Sequence, residues 1–182
     1  FDETVLLEET VRAMDDLIRQ GKILYWGVSQ WEAEQIEKAC RIAERRNADL
    51  PVTNQPRYNL LSREIEERVV PTCEREGIGQ IVWSPLGQGR LGDGDPRPGR
   101  RQAEDERLIR VKAALAAHGH RFGVGIAATA YAWILAHPAG ITPIVGSQNP
   151  ARIAEAADAF KVNFTRAEWY AILVASLGEN LP

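Results

Sequence analysis

The sequence predicts an α/β chain in which parallel strands, each followed by a helix, form a sheet that the helices cover. Three observations predict it. Short β-branched and aromatic runs alternate with longer segments whose apolar residues recur every three or four positions. The strand-like runs occur four times, at residues 22–28, 51–55, 78–84 and 141–145. Glycine, proline or a helix-capping residue marks most junctions between them. Four such repeats make half of an eight-stranded α/β barrel, whose full form takes about 250 residues, whereas this chain has 182. An open, flavodoxin-like sheet has the same alternation. No G-x-G-x-x-G turn follows any of the strands, but the order of elements alone leaves both architectures standing.

Leu7, Val11, Met14 and Ile18, following Thr4, form one stripe of an amphipathic helix that Gly21 ends. Residues 22–28 (KILYWGV) are the first strand. Ser29 and Glu32 then have the S-x-x-E spacing of a capping box, and a helix over residues 31–46 follows, with Ile36, Ala39, Cys40 and Ala43 on one face. Residues 51–55 (PVTNQ) are the second strand, stopped by Pro56. A helix over residues 62–76 turns Ile65, Val69 and Val70 inward and closes at Gly77, and residues 78–84 (IGQIVWS) form the third strand. Residues 85–101 are so rich in Gly, Pro and Arg that they predict a long loop, the kind of segment on which function often sits. Helix resumes over residues 103–117, and residues 125–136 (GIAATAYAWILA) are apolar nearly all round, which predicts a helix buried on most sides. After the fourth strand (ITPIV), Asn149 as N-cap and Pro150 at the first helical position open a helix over residues 150–160. Thr165 and Glu168 open the last helix, over residues 165–178, with a second capping box.

Composition narrows the function classes. With 45% hydrophobic and 26% charged residues the chain has the material for a buried core. Its 22 basic and 25 acidic side chains leave a formal charge of −3 without a long basic run, which argues against nucleic acid or an anionic membrane surface as partner. The most apolar stretch, residues 126–136, is shorter than the roughly 18 residues a membrane span requires. The N-terminus, Phe-Asp-Glu-Thr, lacks the order of a secretory signal, so a cytoplasmic location without membrane insertion is expected. Cys40 and Cys73 have no C-x-x-C spacing, and Cys40, on the inner face of its helix, reads as a core thiol. His118 and His120 have no carboxylate or thiol at ligand spacing, so no metal site is expected and the pair reads as a solvated helix end.

In barrels of this class the active site is built at the C-terminal ends of the strands. Those ends read Gly27-Val28-Ser29-Gln30-Trp31, Asn54-Gln55-Pro56-Arg57-Tyr58-Asn59, Trp83-Ser84-Pro85-Leu86-Gly87-Gln88 and Gly146-Ser147-Gln148-Asn149-Pro150. Together they resemble the last four strands of the aldo-keto reductase family. The Tyr-Trp-Gly-x-Ser-x-Trp and Trp-Ser-Pro-Leu runs are most similar to the subgroup that contains the voltage-gated potassium channel beta subunits and bacterial relatives. The resemblance covers essentially the whole chain. It implies one partial barrel domain over residues 1–182, the C-terminal half of a (β/α)8 TIM barrel with about four parallel strands and their helices, the N-terminal half being absent.

The same resemblance implies NADP(H) as cofactor. Ser29, with Gln30 beside it, and Gln55 would bond the nicotinamide carboxamide, and Trp83 would offer a flat π-face to the ring. Ser84, Pro85, Leu86, Gly87 and Gln88 would follow the pyrophosphate, where small residues let backbone amides approach an anion. Gly146 and Gln148 match a phosphate-contacting turn that opens onto a helix N-terminus. Arg152 would pack on the adenine and reach the 2′-phosphate, which favours NADP over NAD, while Glu155 would meet the adenine amine. Plainer readings stand beside these. Trp83 is also a candidate core aromatic, Ser29 a helix cap, Gln55 a partner for backbone, and Arg152 with Glu155 an exposed ion pair of small value. Trp31 and Tyr58 either line a substrate pocket or simply pack.

The chain departs from the family in two ways. Where relatives carry a Thr-Gly-Lys-Tyr-like stretch that closes over the cofactor, residues 90–101 read RLGDGDPRPGRR, so a clasp would have to use Arg90, Arg97, Arg100 or Arg101. Ala156 replaces a common amide residue beside the adenine, and both differences imply a looser hold. The family's catalytic Asp, Tyr, Lys and His come from the first four strands, upstream of Phe1, so no catalytic residue is assigned here. The implied function is the NADP(H)-binding portion of a reductase that reduces aldehydes or ketones by hydride transfer, with a small carbonyl compound as substrate of the full-length protein and no turnover by this chain alone. The alternatives are an NADP(H)-binding regulatory subunit resembling the channel beta subunits, and an inactive truncated half-barrel that pairs into an oligomer through edge strands.

Overall fold

The computed structural model describes residues 1–93 and 105–178. Among them helices and short strands alternate: α1 (Leu7–Arg19), β1 (Gly27–Val28), α2 (Ala33–Arg46), β2 (Thr53–Asn54), α3 (Val69–Glu76), β3 (Gly79–Val82), α4 (Glu106–Phe122), α5 (Ile126–Leu135), β4 (Thr142–Pro143), α6 (Pro150–Ala157) and α7 (Arg166–Leu177). The strands form one sheet in the order β1-β2-β3-β4, with parallel register from Gly27 to Thr53 and on to Gly79. That consecutive order decides between the two architectures. A flavodoxin-like sheet reverses direction at a switch point, whereas adding each parallel strand on the same side is how a (β/α)8 barrel grows. The strands are shorter than the runs that predicted them, yet pairing continues past their ends, since Val52 N donates to Trp26 O at 2.8 Å and Gln55 N to Val28 O at 2.8 Å.

The chain divides into two compact units, Phe1–Pro56 with Glu64–Ile81, and Arg57–Arg63 with Val82–Pro182. The first unit packs Leu7 and Val11 of α1, Trp26 and Val28 around β1, Ile36, Ala39, Cys40 and Ala43 of α2, and Val69 and Cys73 of α3 into one core. Met14 and Ile18 complete the predicted stripe against that core. Only glycine fits at position 27, because a Cβ there would stand 2.3 Å from Thr53 Oγ1 and 2.7 Å from Thr53 O. Cys40 and Cys73 are free and buried, and burial above all pushes both thiols up to about 11, so Cys40 is the core thiol its helix position predicts. The helix expected over residues 62–76 is instead a 3-10 turn at Glu64–Glu66 followed by α3. Arg68, at φ −132° and ψ −44°, interrupts the two.

In the second unit α5 is buried along its length from Ala127 to Ile134. Trp133 of α5 and Trp169 of α7 stack at 4.8 Å and 6°, and each indole N–H donates to the other residue's carbonyl, at 3.2 Å and 2.9 Å. Tyr58, fully buried, stacks on Trp133 at 5.9 Å, and in the first unit Trp31 is buried with Phe1 edge-on at 5.1 Å. Both aromatics therefore pack. Ile144 N bonds Val82 O at 2.9 Å, which joins β4 to the end of β3. Helix α4 runs further than predicted. Asp105 caps its start and Gly123 its end, so His118 and His120 lie in its last turns, with His120 exposed at the helix end as expected. His118 Nδ1 meets Ala114 O at 2.8 Å and its ring packs on Phe164. The caps at Asn149 and Thr165 form as predicted, the latter as a capping box with Glu168. Among the described residues no helix is long and apolar enough to cross a membrane.

Candidate functional site

Side chains other than glycine adopt left-handed backbone conformations just beyond the strands: Gln30 at φ 58°, Ser84 at φ 55° and Gln88 at φ 63°. Such residues cost about 1–3 kcal/mol each and collect at functional sites. In the first unit the turn after β1 sets Ser29 beside the end of β2, where its hydroxyl donates to Gln55 O at 2.7 Å. Ser29, Gln30 and Gln55 are thus exposed together at one end of the β1-β2 pair. Ser29 is not a helix cap, contrary to the S-x-x-E pattern. Glu32 is the N-cap of α2 and forms its capping box with Gln35, while the Ser29 hydroxyl is turned toward Gln55 O across the β1-β2 pair. The serine oxygen keeps its lone pairs for another donor.

The second unit contains a cleft of about 290 Å³. Trp83, Ser84, Pro85, Leu86 and Gln88 line it after β3, and Gly146 lines it after β4. Arg152 and Glu155 line it from α6. These are eight of the nominated residues on one cleft. Gly87 and Gln148 are not among the lining residues; Gly87 is buried beneath the turn, its Cβ position 3.4 Å from Leu61 Cδ1.

Local bonds build the β3 wall. Gly87 N donates to Ser84 O at 2.9 Å, Gln88 N to Ser84 Oγ at 3.1 Å, and Gly89 N to Leu86 O at 3.0 Å. Asn59 braces the same turn from outside the strand, with Nδ2 donating to Ser84 O at 2.9 Å and Oδ1 accepting from Leu61 N at 2.8 Å. The amides of residues 87, 88 and 89 are therefore bonded within the turn. An anion in this cleft would meet the Arg152 guanidinium before those amides. Trp83 is half-buried and faces the cleft rather than a closed core, with the Arg57 guanidinium 5.9 Å above its ring.

Sequence reasoning missed Asp93, Ala127 and Tyr131, all of which line the cleft. Asp93 accepts from Ile126 N and Ala127 N, both at 3.1 Å. Burial first, and then the neighbouring Asp93 charge and a hydrogen bond with Asp93, push the Glu155 carboxyl up, while Arg152 pulls it the other way. Burial and the Glu155 charge raise the Tyr131 phenol. Of the arginines expected to clasp a ligand, Arg90 instead donates to Asp105 at 3.2 Å, and Arg97, Arg100 and Arg101 lie outside the described residues. A usable signal for Asp93 was present. Helix α5 follows Gly125, which has no side chain with which to cap it, so its first amides need an acceptor from elsewhere.

Residues 1–175 match the family described as the Aldo/keto reductase family. The chain is 39% identical over 175 residues to a 6-dehydroglucose reductase of Novosphingobium aromaticivorans, covering 96% of this chain and 53% of that protein. It is 34% identical over 171 residues to a putative voltage-gated potassium channel subunit beta of Schizosaccharomyces pombe, covering 85% and 50%. A probable voltage-gated potassium channel subunit beta of Oryza sativa subsp. japonica is also 34% identical, with 85% and 52% covered. The chain spans about half the length of these curated relatives.

Proposed function

Because the chain belongs to the aldo/keto reductase family, we propose that it is the nucleotide-holding portion of an NADP(H)-dependent oxidoreductase that reduces aldehydes or ketones. The observation that carries this reading is the shared cleft, which brings an aromatic face, a serine-headed turn and a helix-borne guanidinium together. These residues fit a dinucleotide. Trp83 offers a π-face for a heteroaromatic ring, Pro85, Leu86 and Ala127 offer apolar wall, and Arg152 offers a planar donor fork for a phosphate. NADP(H), when bound, supplies the hydride. In this proposal Trp83 orients the ring, Arg152 selects the phosphorylated nucleotide, and Glu155 meets the adenine end. Ser29, Gln30 and Gln55 are assigned carboxamide recognition by the family resemblance. Ser84, Gly87 and Gln88 shape the cleft wall, and Gly146 and Gln148 shape the turn into α6. In this proposal none of these 182 residues is assigned the proton donor, and no turnover is expected from them alone.

Identity with a protein named a 6-dehydroglucose reductase supports a carbonyl-reducing parent. The relatives named as channel subunits favour a second reading, a nucleotide-binding regulatory subunit. Both predict binding, and NADPH consumption with an aldehyde by the protein that contains this chain separates them. The test of the cleft is a fluorescence titration. NADPH should quench tryptophan emission saturably, and Trp83→Leu should remove most of the quench. Arg152→Ala should weaken NADP by about tenfold or more, the loss expected of a charge-assisted contact of about 1.5–3 kcal/mol, and NAD far less. Equal weakening of both nucleotides refutes the 2′-phosphate role, and the absence of saturable quenching refutes the nucleotide reading.

A further inference from the structure

One contact in the cleft, that of Asp93 with the start of α5, is not used by the nucleotide contacts above. Helix α5 begins without a side-chain cap of its own, and a helix start leaves its first amides without partners. A residue 33 positions earlier supplies the acceptor. Asp93 Oδ1 takes Ile126 N and Asp93 Oδ2 takes Ala127 N, both at 3.1 Å, and a carboxylate is the side chain a helix N-terminus favours. Asp93 lies on the segment that runs on from the Trp83–Gly89 wall, so this contact ties that wall to α5. Glycine at position 125 makes room for it. A Cβ there would stand 2.7 Å from Asp93 Oδ2 and 3.1 Å from Glu155 Oε1, so two carboxyl groups converge over one bare Cα.

Two carboxyl groups that share a hydrogen bond need a proton between them. Of the two, Glu155 is the one whose carboxyl is pushed up, by burial first and then by the Asp93 charge. Asp93 accepts the Ile126 and Ala127 amides, and Glu155 is partly buried and faces the Asp93 carboxyl. From its own helix Arg152 opposes protonation and Asp158 supports it. From α5 it is faced by the Tyr131 phenol.

We propose that Asp93 is a positioning residue of the nucleotide cleft: its carboxylate clamps the cleft wall to the start of α5 and a protonated Glu155 completes the clamp, so nucleotide leaves faster once Glu155 ionises. The statement about the nucleotide rests on the function proposed above; the clamp itself does not. The coupling has a definite sign. A 2′-phosphate that engages Arg152 offsets a positive charge that favours ionised Glu155, so NADP binding should take up a proton and weaken as pH rises. NAD should show a smaller slope.

The first experiment needs no nucleotide. Residue-resolved amide exchange on the 182-residue chain, corrected for intrinsic base catalysis, should show the protection of Ile126 and Ala127 falling as pH rises above the ordinary carboxylate range. Asp93→Ala and Gly125→Ala should remove the protection. Glu155→Gln, whose amide donates at every pH, should keep it and abolish the step. Unchanged protection in Asp93→Ala, or a wild-type step in Glu155→Gln, overturns the clamp. The second experiment chases bound NADPH and follows tryptophan emission. Release should be several-fold faster in Asp93→Ala and should lose its pH dependence in Glu155→Gln. If the amides respond but release does not, the clamp stands and its link to nucleotide is overturned. If NADPH never binds, the function proposed above fails while the amide exchange still decides the clamp.

Discussion

Asn59→Ala tests whether the wall of the cleft depends on a side chain that does not line it. Asn59 is fully buried. Its Oδ1 is the acceptor for Leu61 N at 2.8 Å, and its Nδ2 donates to Ser84 O at 2.9 Å. Truncation leaves the Leu61 amide without that acceptor, a loss of about 1–3 kcal/mol. Ser84 O keeps the Gly87 amide at 2.9 Å, so losing the second bond there costs only about 0.5–1.5 kcal/mol. The two together come to about 1.5–4.5 kcal/mol, a large share of the roughly 5–15 kcal/mol that holds a typical domain folded. Urea unfolding followed by far-ultraviolet circular dichroism should show the midpoint falling with the slope unchanged. NADPH affinity should fall as well, because the Ser84 turn loses its brace. Asn59→Asp sharpens the test. It keeps the acceptor for Leu61 but sets an oxygen against the Ser84 carbonyl, so it should be as unstable as Asn59→Ala near neutral pH and recover in acid, where a protonated carboxyl can donate again. A loss below about 1 kcal/mol in Asn59→Ala refutes the argument.

Two further outcomes follow from titrating groups. Glu168 accepts from the Thr165 amide at 2.8 Å and hydroxyl at 2.9 Å and pairs with Arg121, and these contacts, the backbone amide first, hold its carboxyl down from 4.5 to about 2. A depressed folded value means stability that is present above 4.5 and lost as pH falls toward about 2. Wild type and Glu168→Gln should therefore differ in melting temperature at neutral pH and converge across that window; a constant difference would contradict the assignment. Cys40 and Cys73, with thiols pushed up to about 11, should resist iodoacetamide at about pH 8 in the folded chain and both react in urea. Rapid labelling of either without denaturant would show that the first unit opens.

The helices were legible because their determinants are local. Asn149 with Pro150, and Thr165 with Glu168, announce helix starts within four residues, and the stripe of Leu7, Val11, Met14 and Ile18 requires only a core to face. Local signals fail where a distant group holds the same stretch of chain. Ser29 and Glu32 satisfy a capping pattern, but the Ser29 hydroxyl goes to a carbonyl 26 residues later, leaving Glu32 and Gln35 to cap α2. The helix expected from residue 62 fails for a similar reason. Leu60 O is held by Arg107 at 2.9 Å and by the Ser176 hydroxyl, and Asn59 and Ser62 exchange backbone bonds at 3.0 Å and 2.9 Å. The chain is pinned into a turn before a helix can begin.

The charges of the Gly-rich loop carry the same lesson into the site. Its arginines drew attention as a clasp because a cation suits a phosphate. Yet both described charged residues there serve helix starts. Arg90 pairs with Asp105, the N-cap of α4, and Asp93 takes the first amides of α5. The demand for an acceptor at Gly125 is visible in the sequence, since a helix that opens on glycine, isoleucine and alanine offers its amides nothing. What the sequence does not contain is the distance between Asp93 and that demand. The fold supplies it by bringing residues 93 and 126 together, which makes a pocket carboxylate part of the scaffold and leaves Arg152, among the described residues, as the cation that borders the cleft.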